Sequence, residues 1–332
     1  MSQQTSSTQN SPLWTLRDVC SCGQNAPRLD RVSVTIPAGR VALLGVSGAG
    51  KSSLLRILAG FETADSGDVT QHELSLPSPL PVFWSPQDYG LWPHLTVQEH
   101  LEHVRPAEPR TGILVEQWLQ QFRLEALADS QPGTLSEGEQ SRLSVVRALA
   151  SEADVLLLDE PLAHVDPVHR EDDWRTVMNH VARFCQGVIF STHEPAIVRR
   201  FADYVVCLDR GRIQFAGSTS QLLFSPPDET AAWLLGPCNW LSEKIRHWFS
   251  DAKPSWPCLR PEETFVTPDS AGKSRVISID GQGTQTRFEL RHCELDSTIV
   301  VFATHNPEVR VDSRVRINVI PSPDREQVDR SS

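Results

Sequence analysis

No stretch of the 332 residues approaches the ~18 consecutive apolar positions of a membrane-spanning helix, so a helical bilayer crossing is excluded. Positive charge is also in short supply. Lys and Arg total 31 against 42 Asp and Glu, a formal charge of −11, and no basic stretch interleaved with aromatics appears. That balance argues against non-specific nucleic-acid binding. The 7 cysteines are odd in number and irregularly spaced. Cys20 and Cys22 form the one close pair, with no second pair to complete a zinc site, so free thiols are expected. Met1–Gln9 has neither positive charge nor an apolar core, which predicts a flexible leader rather than a signal peptide. The length is that of about two domains, and a 39% hydrophobic content gives each enough apolar mass for a core.

Three short segments carry the chemistry that is present. Gly45-Val46-Ser47-Gly48-Ala49-Gly50-Lys51-Ser52 fits G-x-x-x-x-G-K-[ST], a glycine loop whose backbone N–H groups wrap phosphates. It follows the apolar run Val41–Leu44 and opens into Ser53–Ala59, so it joins a strand to a helix whose N-terminus adds free N–H donors and a positive pole. Gly45, Ser47, Gly48, Ala49, Gly50 and Ser53 are candidate phosphate contacts. Lys51 is placed to reach the outer phosphates, and the Ser52 hydroxyl to ligate Mg²⁺. Gly272-Lys273-Ser274 echoes the loop but has Thr267 where its first glycine is needed, so it is read as a turn. Further on, Val155–Leu158 ends in Asp159 and Glu160, as a buried parallel strand delivering acids to the C-terminal edge of a sheet would. Asp159 is placed to hold a metal through water and Glu160 to polarise a water against a terminal phosphate. Between these two segments lies Leu135-Ser136-Glu137-Gly138-Glu139-Gln140. Its Ser136 and Glu139 match the S-x-x-E capping box at the head of an amphipathic run, Gln140–Ala150.

Leu135–Glu139 resembles the LSGGQ signature of ATP-binding-cassette (ABC) ATPases. Gln87 in Trp84-Ser85-Pro86-Gln87 resembles that family's Q-loop, Asp166 in Pro161–Asp166 its D-loop, and His193 in Ser191-Thr192-His193-Glu194 its switch histidine. These elements follow the family's order from Leu13 to Gly217. The resemblance implies an α/β fold, a P-loop NTPase cassette with a parallel-sheet core, an antiparallel β subdomain and a helical subdomain, with ATP and Mg²⁺ as cofactors. It further implies two ATP molecules sandwiched in a homodimer or paired cassette. Lys51, Ser52 and Gln87 would hold one ATP, with Ser52, Gln87 and Asp159 serving the metal. Ser136 and Gly138 of the other subunit would cover it, Asp166 would sit in the D-loop at that junction, Glu160 would position the attacking water, and His193 would sense the terminal phosphate. The segment Phe302–Pro307 closely echoes Phe190–Pro195, but its His305 lies in a different composition zone and is read as a strand end.

The coarse organisation follows. A leader spans 1–12 and the cassette 13–240, with antiparallel strands at Leu13–Val19 and Val32–Ile36. A helical insertion occupies about 88–150, with helical spacing at Val97–His103 and Ile113–Phe122. Gly187–Phe190 and Tyr204–Leu208 read as core strands. Residues 241–257 read as a linker. Residues 258–321 then change texture, with short strand-like runs at Thr264–Val266, Ser274–Ile279, Thr284–Arg291, Thr298–Ala303 and Val315–Ile320 separated by turn residues, as in a small β-barrel. A flexible tail is expected over 322–332. Leu259-Arg260-Pro261-Glu262 resembles the Arg-Pro-Glu that opens the OB-like (TOBE-like) accessory domain of import ATPases serving maltose, sulfate, molybdate, polyamines or ferric iron. Ala231–Asn239 resembles the helix that leaves the ATPase domain in those subunits.

Three departures from the family pattern stand out. The family stacks adenine on an aromatic residue shortly after its first strand, where this chain has Val19-Cys20-Ser21-Cys22-Gly23; Trp14, just upstream, is the candidate substitute. Glu137 replaces the first glycine of the signature, and Ala163-His164-Val165 replaces the commoner D-loop residues. The resemblance implies the ATP-hydrolysing subunit of an importer, peripheral on the cytoplasmic face of a membrane. Its partners would be integral-membrane permease subunits and, indirectly, a substrate-binding protein, with no nucleic acid. The other readings are a nucleotide-binding regulator with weak turnover and a soluble, non-transport ABC ATPase.

Overall fold

Alternation of apolar and polar residues lays β1 (Pro12–Ser21) antiparallel to β2 (Leu29–Pro37), with Trp14 opposite Ile36 and Leu16 opposite Val34. The apolar set faces inward, and a one-residue slip would turn it to solvent. The structure is a computed structural model that describes residues 12–23, 27–74, 80–249, 255–282, 285–294 and 297–325. The expected leader through residue 11, residues 250–254 of the expected linker and the expected tail from 326 lie outside the described residues. Contacts divide the chain into two compact units, Met1–Gly217 and Ser218–Ser332.

In the first unit β3 (Gly39–Leu44) leads through the glycine loop into α1 (Lys51–Leu58), and β4 (Ser66–Gln71) pairs with the outer side of β1. β5 (Val82–Ser85) precedes two short helices, α2 (Val97–Val104) and α3 (Val115–Gln121). Then come α4 (Glu137–Ala150), β6 (Val155–Leu158), α5 (Pro167–Phe184), β7 (Gly187–Thr192), α6 (Pro195–Phe201), β8 (Tyr204–Asp209) and β9 (Arg212–Ser218). Six strands form one sheet in the order β5-β6-β7-β3-β8-β9, parallel from β5 through β8. β6 and β7 are buried along their whole lengths, as strands covered on both faces must be. Their register pairs Ser85 with Leu158, Leu158 with Phe190 and Leu44 with Thr192. The C-terminal ends of β5, β6, β7 and β3 therefore lie side by side, at the edge where open α/β sheets carry their ligand sites.

Trp14, Leu16, Val41, Leu55, Leu157 and Ile189 share one buried cluster, so the antiparallel sheet, α1 and the parallel sheet close a common core. Each fully buried Leu or Ile there contributes about 1.5–3 kcal/mol of transfer free energy. Among the described residues, no helix is long and apolar enough to cross a membrane.

The second unit begins with α7 (Thr219–Phe224) and α8 (Glu229–Leu234), followed by the paired short strands β10 (Asn239–Trp240) and β11 (Cys258–Leu259). β12 (Thr264–Pro268), β13 (Ser274–Gln282), β14 (Gln285–His292), β15 (Thr298–Thr304) and β16 (Arg314–Val319) close a five-stranded barrel in the order β12-β15-β14-β13-β16. Closure removes exposed strand edges, and the barrel fits the OB-like architecture expected from the sequence. Val266, Val276, Phe288, Leu290, Val301 and Val315 fill it. Arg260 is fully buried and donates to the carbonyls of Leu222, Leu223, Ala232 and Gly236, which ties α7 and α8 to the head of the barrel. Beside it, Arg325 donates from Nε and Nη2 to Glu263 at 2.6 Å each, both side chains 1% exposed. His305, just past β15, has Nδ1 2.9 Å from the Thr286 hydroxyl in the barrel.

Candidate nucleotide site

The turn from β3 into α1 depends on Gly50, whose φ of 106° caps the helix and whose missing side chain admits the Arg28 carbonyl. A Cβ there would come within 2.5 Å of that oxygen. α1 has no side-chain cap hydrogen bond at its N-terminus, so the orphan N–H groups of its first turn face the loop. A pocket of about 240 Å³ opens at this point, lined by residues 47–53 together with Gln87, Glu160 and Arg28. It gathers Ser47, Gly48, Ala49, Gly50, Lys51, Ser52, Ser53, Gln87 and Glu160 of the residues singled out in the sequence. Lys51, 5% exposed, donates from Nζ to the carbonyls of Gly45 (2.8 Å) and Val46 (3.2 Å), and its head stands 3.4 Å from Glu160 Oε1. The other Glu160 oxygen lies 3.3 Å from His193 Nδ1. One carboxylate thus spans the loop lysine and the histidine at the end of β7.

Glu160 is held in an unusual backbone conformation, φ 48°, which a non-glycine residue adopts only when its surroundings impose it. Ser191 is bonded to its backbone. Its hydroxyl donates to Asp159 Oδ1 at 2.6 Å and accepts from the Glu160 N–H at 2.8 Å. Asp159 is buried behind the pocket, and its own N–H is bonded to the Ser85 carbonyl of β5. A hydroxyl at Ser52, an amide oxygen at Gln87 and a carboxylate at Asp159 are the hard oxygen donors that Mg²⁺ takes from protein while keeping phosphates and waters. Among the described residues, no cluster of three or more His, Cys, Asp or Glu offers a metal-binding alternative.

Ser136, Gly138 and Asp166 do not line this pocket. Ser136 caps α4 in a full capping box. Its hydroxyl accepts from Glu139 N–H at 3.3 Å, and Glu139 Oε2 accepts from Ser136 N–H at 2.7 Å. Hydrogen bonds from Ser136 hold the Glu139 carboxyl below its ordinary range. Asp166 caps α5 through Oδ1, which accepts from Val168 N–H at 2.8 Å. Trp14 is 1% exposed inside the core cluster, so it has no face to offer a base; the alternation of β1 points it inward.

Sequence reasoning missed several neighbours of the site. Arg28 lines the pocket, and Ser191 orients both acids. Arg147, buried on α4, donates to the carbonyls of Gly90 (2.6 Å) and Tyr89 (2.9 Å) just past Gln87 and lies over the Trp92 ring. Burial pushes its guanidinium down to about 10. Only Ser191 left a local trace, as the Ser-Thr-His that ends β7.

Comparison with known proteins finds relatives of one family. The ABC transporter family profile matches residues 29–163. The chain is 37% identical over 222 residues to the probable sulfate/thiosulfate import ATP-binding protein CysA of Chlorella vulgaris, covering 63% of this chain and 92% of that one. It is 32% identical over 231 residues to the sulfate/thiosulfate import ATP-binding protein CysA of Halalkalibacterium halodurans, over 66% of this chain, and spans 65% of that protein's length. A solved ATP-binding subunit of an ABC transporter superposes with a TM-score of 0.54 at 25% identity, over 63% of this chain and 91% of that one.

Proposed function

The chain belongs to the ABC transporter family, and we propose that it is the ATP-hydrolysing subunit of an importer, working as a dimer at the cytoplasmic face of a membrane beside a separate permease. The observation that carries this reading is Glu160 standing between Lys51 and His193 beside the phosphate loop. A carboxylate there can take a proton from a water attacking the terminal phosphate. Lys51 offsets the charge of the outer phosphates, and Ser52, Gln87 and Asp159 are the residues that would hold Mg²⁺. That ion, when bound, supplies positive charge for phosphoryl transfer, in which positioning and charge stabilisation do most of the catalysis. Ser136 and Gly138, at the capped N-terminus of α4, are suited to covering an anion held by a second subunit, where the helix pole favours negative charge. Tyr89, Gly90 and Trp92 lie between Gln87 and the helical subdomain and are clamped by Arg147, a suitable seat for a permease segment.

The test is ATP turnover by the full chain with Mg²⁺, alone and with its permease, alongside size measurement of Glu160→Gln in ATP. Turnover that the permease raises, with an ATP-dependent dimer of the variant, is the expected result. A parent protein that binds no ATP overturns the reading.

A further inference from the structure

We propose that the guanidinium face of Arg28 carries the nucleobase, in the role the chain leaves without an aromatic side chain. The inference rests on the pocket being an ATP site. Trp14 is buried and Val19–Gly23 contains no aromatic residue. Arg28 enters the same pocket as Lys51 and Ser52 from the start of β2. Its backbone is fixed on both sides. Its N–H donates to the Ser21 carbonyl at 2.7 Å, and its own carbonyl packs where a Cβ on Gly50 or Gly211 would stand, at 2.5 and 2.9 Å.

The side chain is fixed as well, and the manner of its fixing decides what it can do. Nε donates to the Cys22 carbonyl at 3.0 Å, Nη1 to Glu62 Oε1 at 3.2 Å, and Nη2 stands 2.9 Å from Glu62 Oε2. Nε and Nη1 donate along the edge of the plane, and the Glu62 carboxylate, which Arg56 shares at 3.3 Å, offsets part of the charge. With that edge held, the flat face is open to a ligand, the side chain being 38% exposed. Guanidinium planes stack on aromatic rings and on nucleobases. A plane held edge-on by two partners gives up little further side-chain freedom on binding. Were Arg28 instead a phosphate ligand, Glu62 would compete with the phosphate for the Nη1 donor.

The experiment is calorimetric binding of ATP and of inorganic tripolyphosphate, each with Mg²⁺, to the full chain and to Arg28→Ala, Arg28→Lys and Arg28→Trp. Arg28→Ala is expected to weaken ATP on the order of tenfold, the size of one stacking contact, and to leave tripolyphosphate unchanged. Arg28→Lys keeps the charge and loses the plane, so it is expected to behave like Arg28→Ala, whereas Arg28→Trp recovers ATP affinity. Unaltered ATP binding in Arg28→Ala overturns the proposal. So does a joint loss of ATP and tripolyphosphate that Arg28→Lys restores, which would make Arg28 a phosphate cation. Parent binding of ATP, lost in Lys51→Ala, separates these outcomes from failure of the ATP site itself.

Discussion

His164 Nε2 stands 3.9 Å from a carboxylate oxygen of Glu137, and His164 Nδ1 shares a 2.9 Å hydrogen bond with the Tyr89 hydroxyl. Glu137 and His164 are two positions at which the chain departs from the family pattern, and the fold puts them against each other. The segment before α5 is pinned to α4 nearby, where Leu162 N–H donates to the Ser141 hydroxyl at 3.1 Å. Tyr89 completes a line from the Gln87 loop through the D-loop to the signature. Burial raises the Tyr89 phenol above its usual value, with the Glu137 charge adding to it.

Glu160→Gln is expected to lower turnover by about 10²–10⁴-fold, the contribution of a general base, while ATP binding survives. Lys51→Ala is expected to weaken binding itself, because Lys51 is the cation of the phosphate loop. Single-turnover hydrolysis and equilibrium ATP binding separate the two. Parent-rate hydrolysis by Glu160→Gln would remove Glu160 from the base role.

Ser191→Ala should act on kcat more than on KM. It removes the acceptor of the Glu160 N–H and the donor to Asp159 while leaving the phosphate loop intact. A hydrogen bond to a charged group is worth about 1.5–3 kcal/mol, so kcat is expected to fall about tenfold or more, with KM for ATP within about twofold. Ser191→Thr, which restores a hydroxyl, is expected to recover much of the loss. An equal rise in KM would assign Ser191 to binding instead.

Glu263 and Arg325 set an acid limit on the second unit. Burial pushes the Glu263 carboxyl up, but hydrogen bonds and charge from Arg325 outweigh it and leave the group below its ordinary 4.5. A depressed folded value means that the stabilisation is complete above about pH 4.5 and fades as pH falls through the folded value. Glu263→Gln leaves a buried guanidinium without its counter-charge, at a cost of about 3–5 kcal/mol. Urea unfolding of the second unit at neutral pH and near pH 3.5 checks both statements: the parent should lose stability on acidification, and the variant should lose less.

Local patterns in the sequence carried most of the fold. The strand–glycine loop–helix order, the apolar run into Asp159, the capping box at Ser136 and the alternating runs of the barrel each sit within a few residues, so periodicity and spacing reveal them. The contacts that refine the site are products of register and packing between distant segments. Arg28 lines the pocket with Lys51 because its carbonyl packs against Gly50 at the head of α1. Ser191 meets Asp159 because β7 lies beside β6, and Glu137 meets His164 because α4 docks on the segment before α5. Trp14 illustrates the converse: its position near the missing aromatic suggested a base platform, but strand alternation turns it into the core. Arg260 was visible as part of a short motif, whereas its four carbonyl acceptors come from α7, α8 and the turn that follows.

The Glu137–His164 pair yields the sharpest expectation for ATP-driven dimerisation. The Glu137 side chain is 76% exposed and His164 50%, so their mutual attraction is worth no more than about 1 kcal/mol. At 3.9 Å and with both side chains exposed, the histidine leaves the carboxylate's charge largely uncancelled. In the proposed dimer this carboxylate lies at the cap that approaches a terminal phosphate. Two solvated negative charges about 4 Å apart repel by about 1 kcal/mol, close to fivefold in an equilibrium. Glu137→Gly is expected to lower the ATP concentration for half-maximal turnover by about that factor. Gly138→Asp is expected to raise it, because a Cβ at Gly138 comes within 3.0 Å of the His164 carbonyl and a second acid joins the cap. His164→Ala should shift the parent but have no further effect in the Glu137→Gly background, if the histidine acts through Glu137. Turnover against ATP concentration for the parent, the two single variants and the double variant closes the cycle. An additive double variant would separate the residues, and an unchanged Glu137→Gly enzyme would place the carboxylate away from the phosphate in the closed dimer.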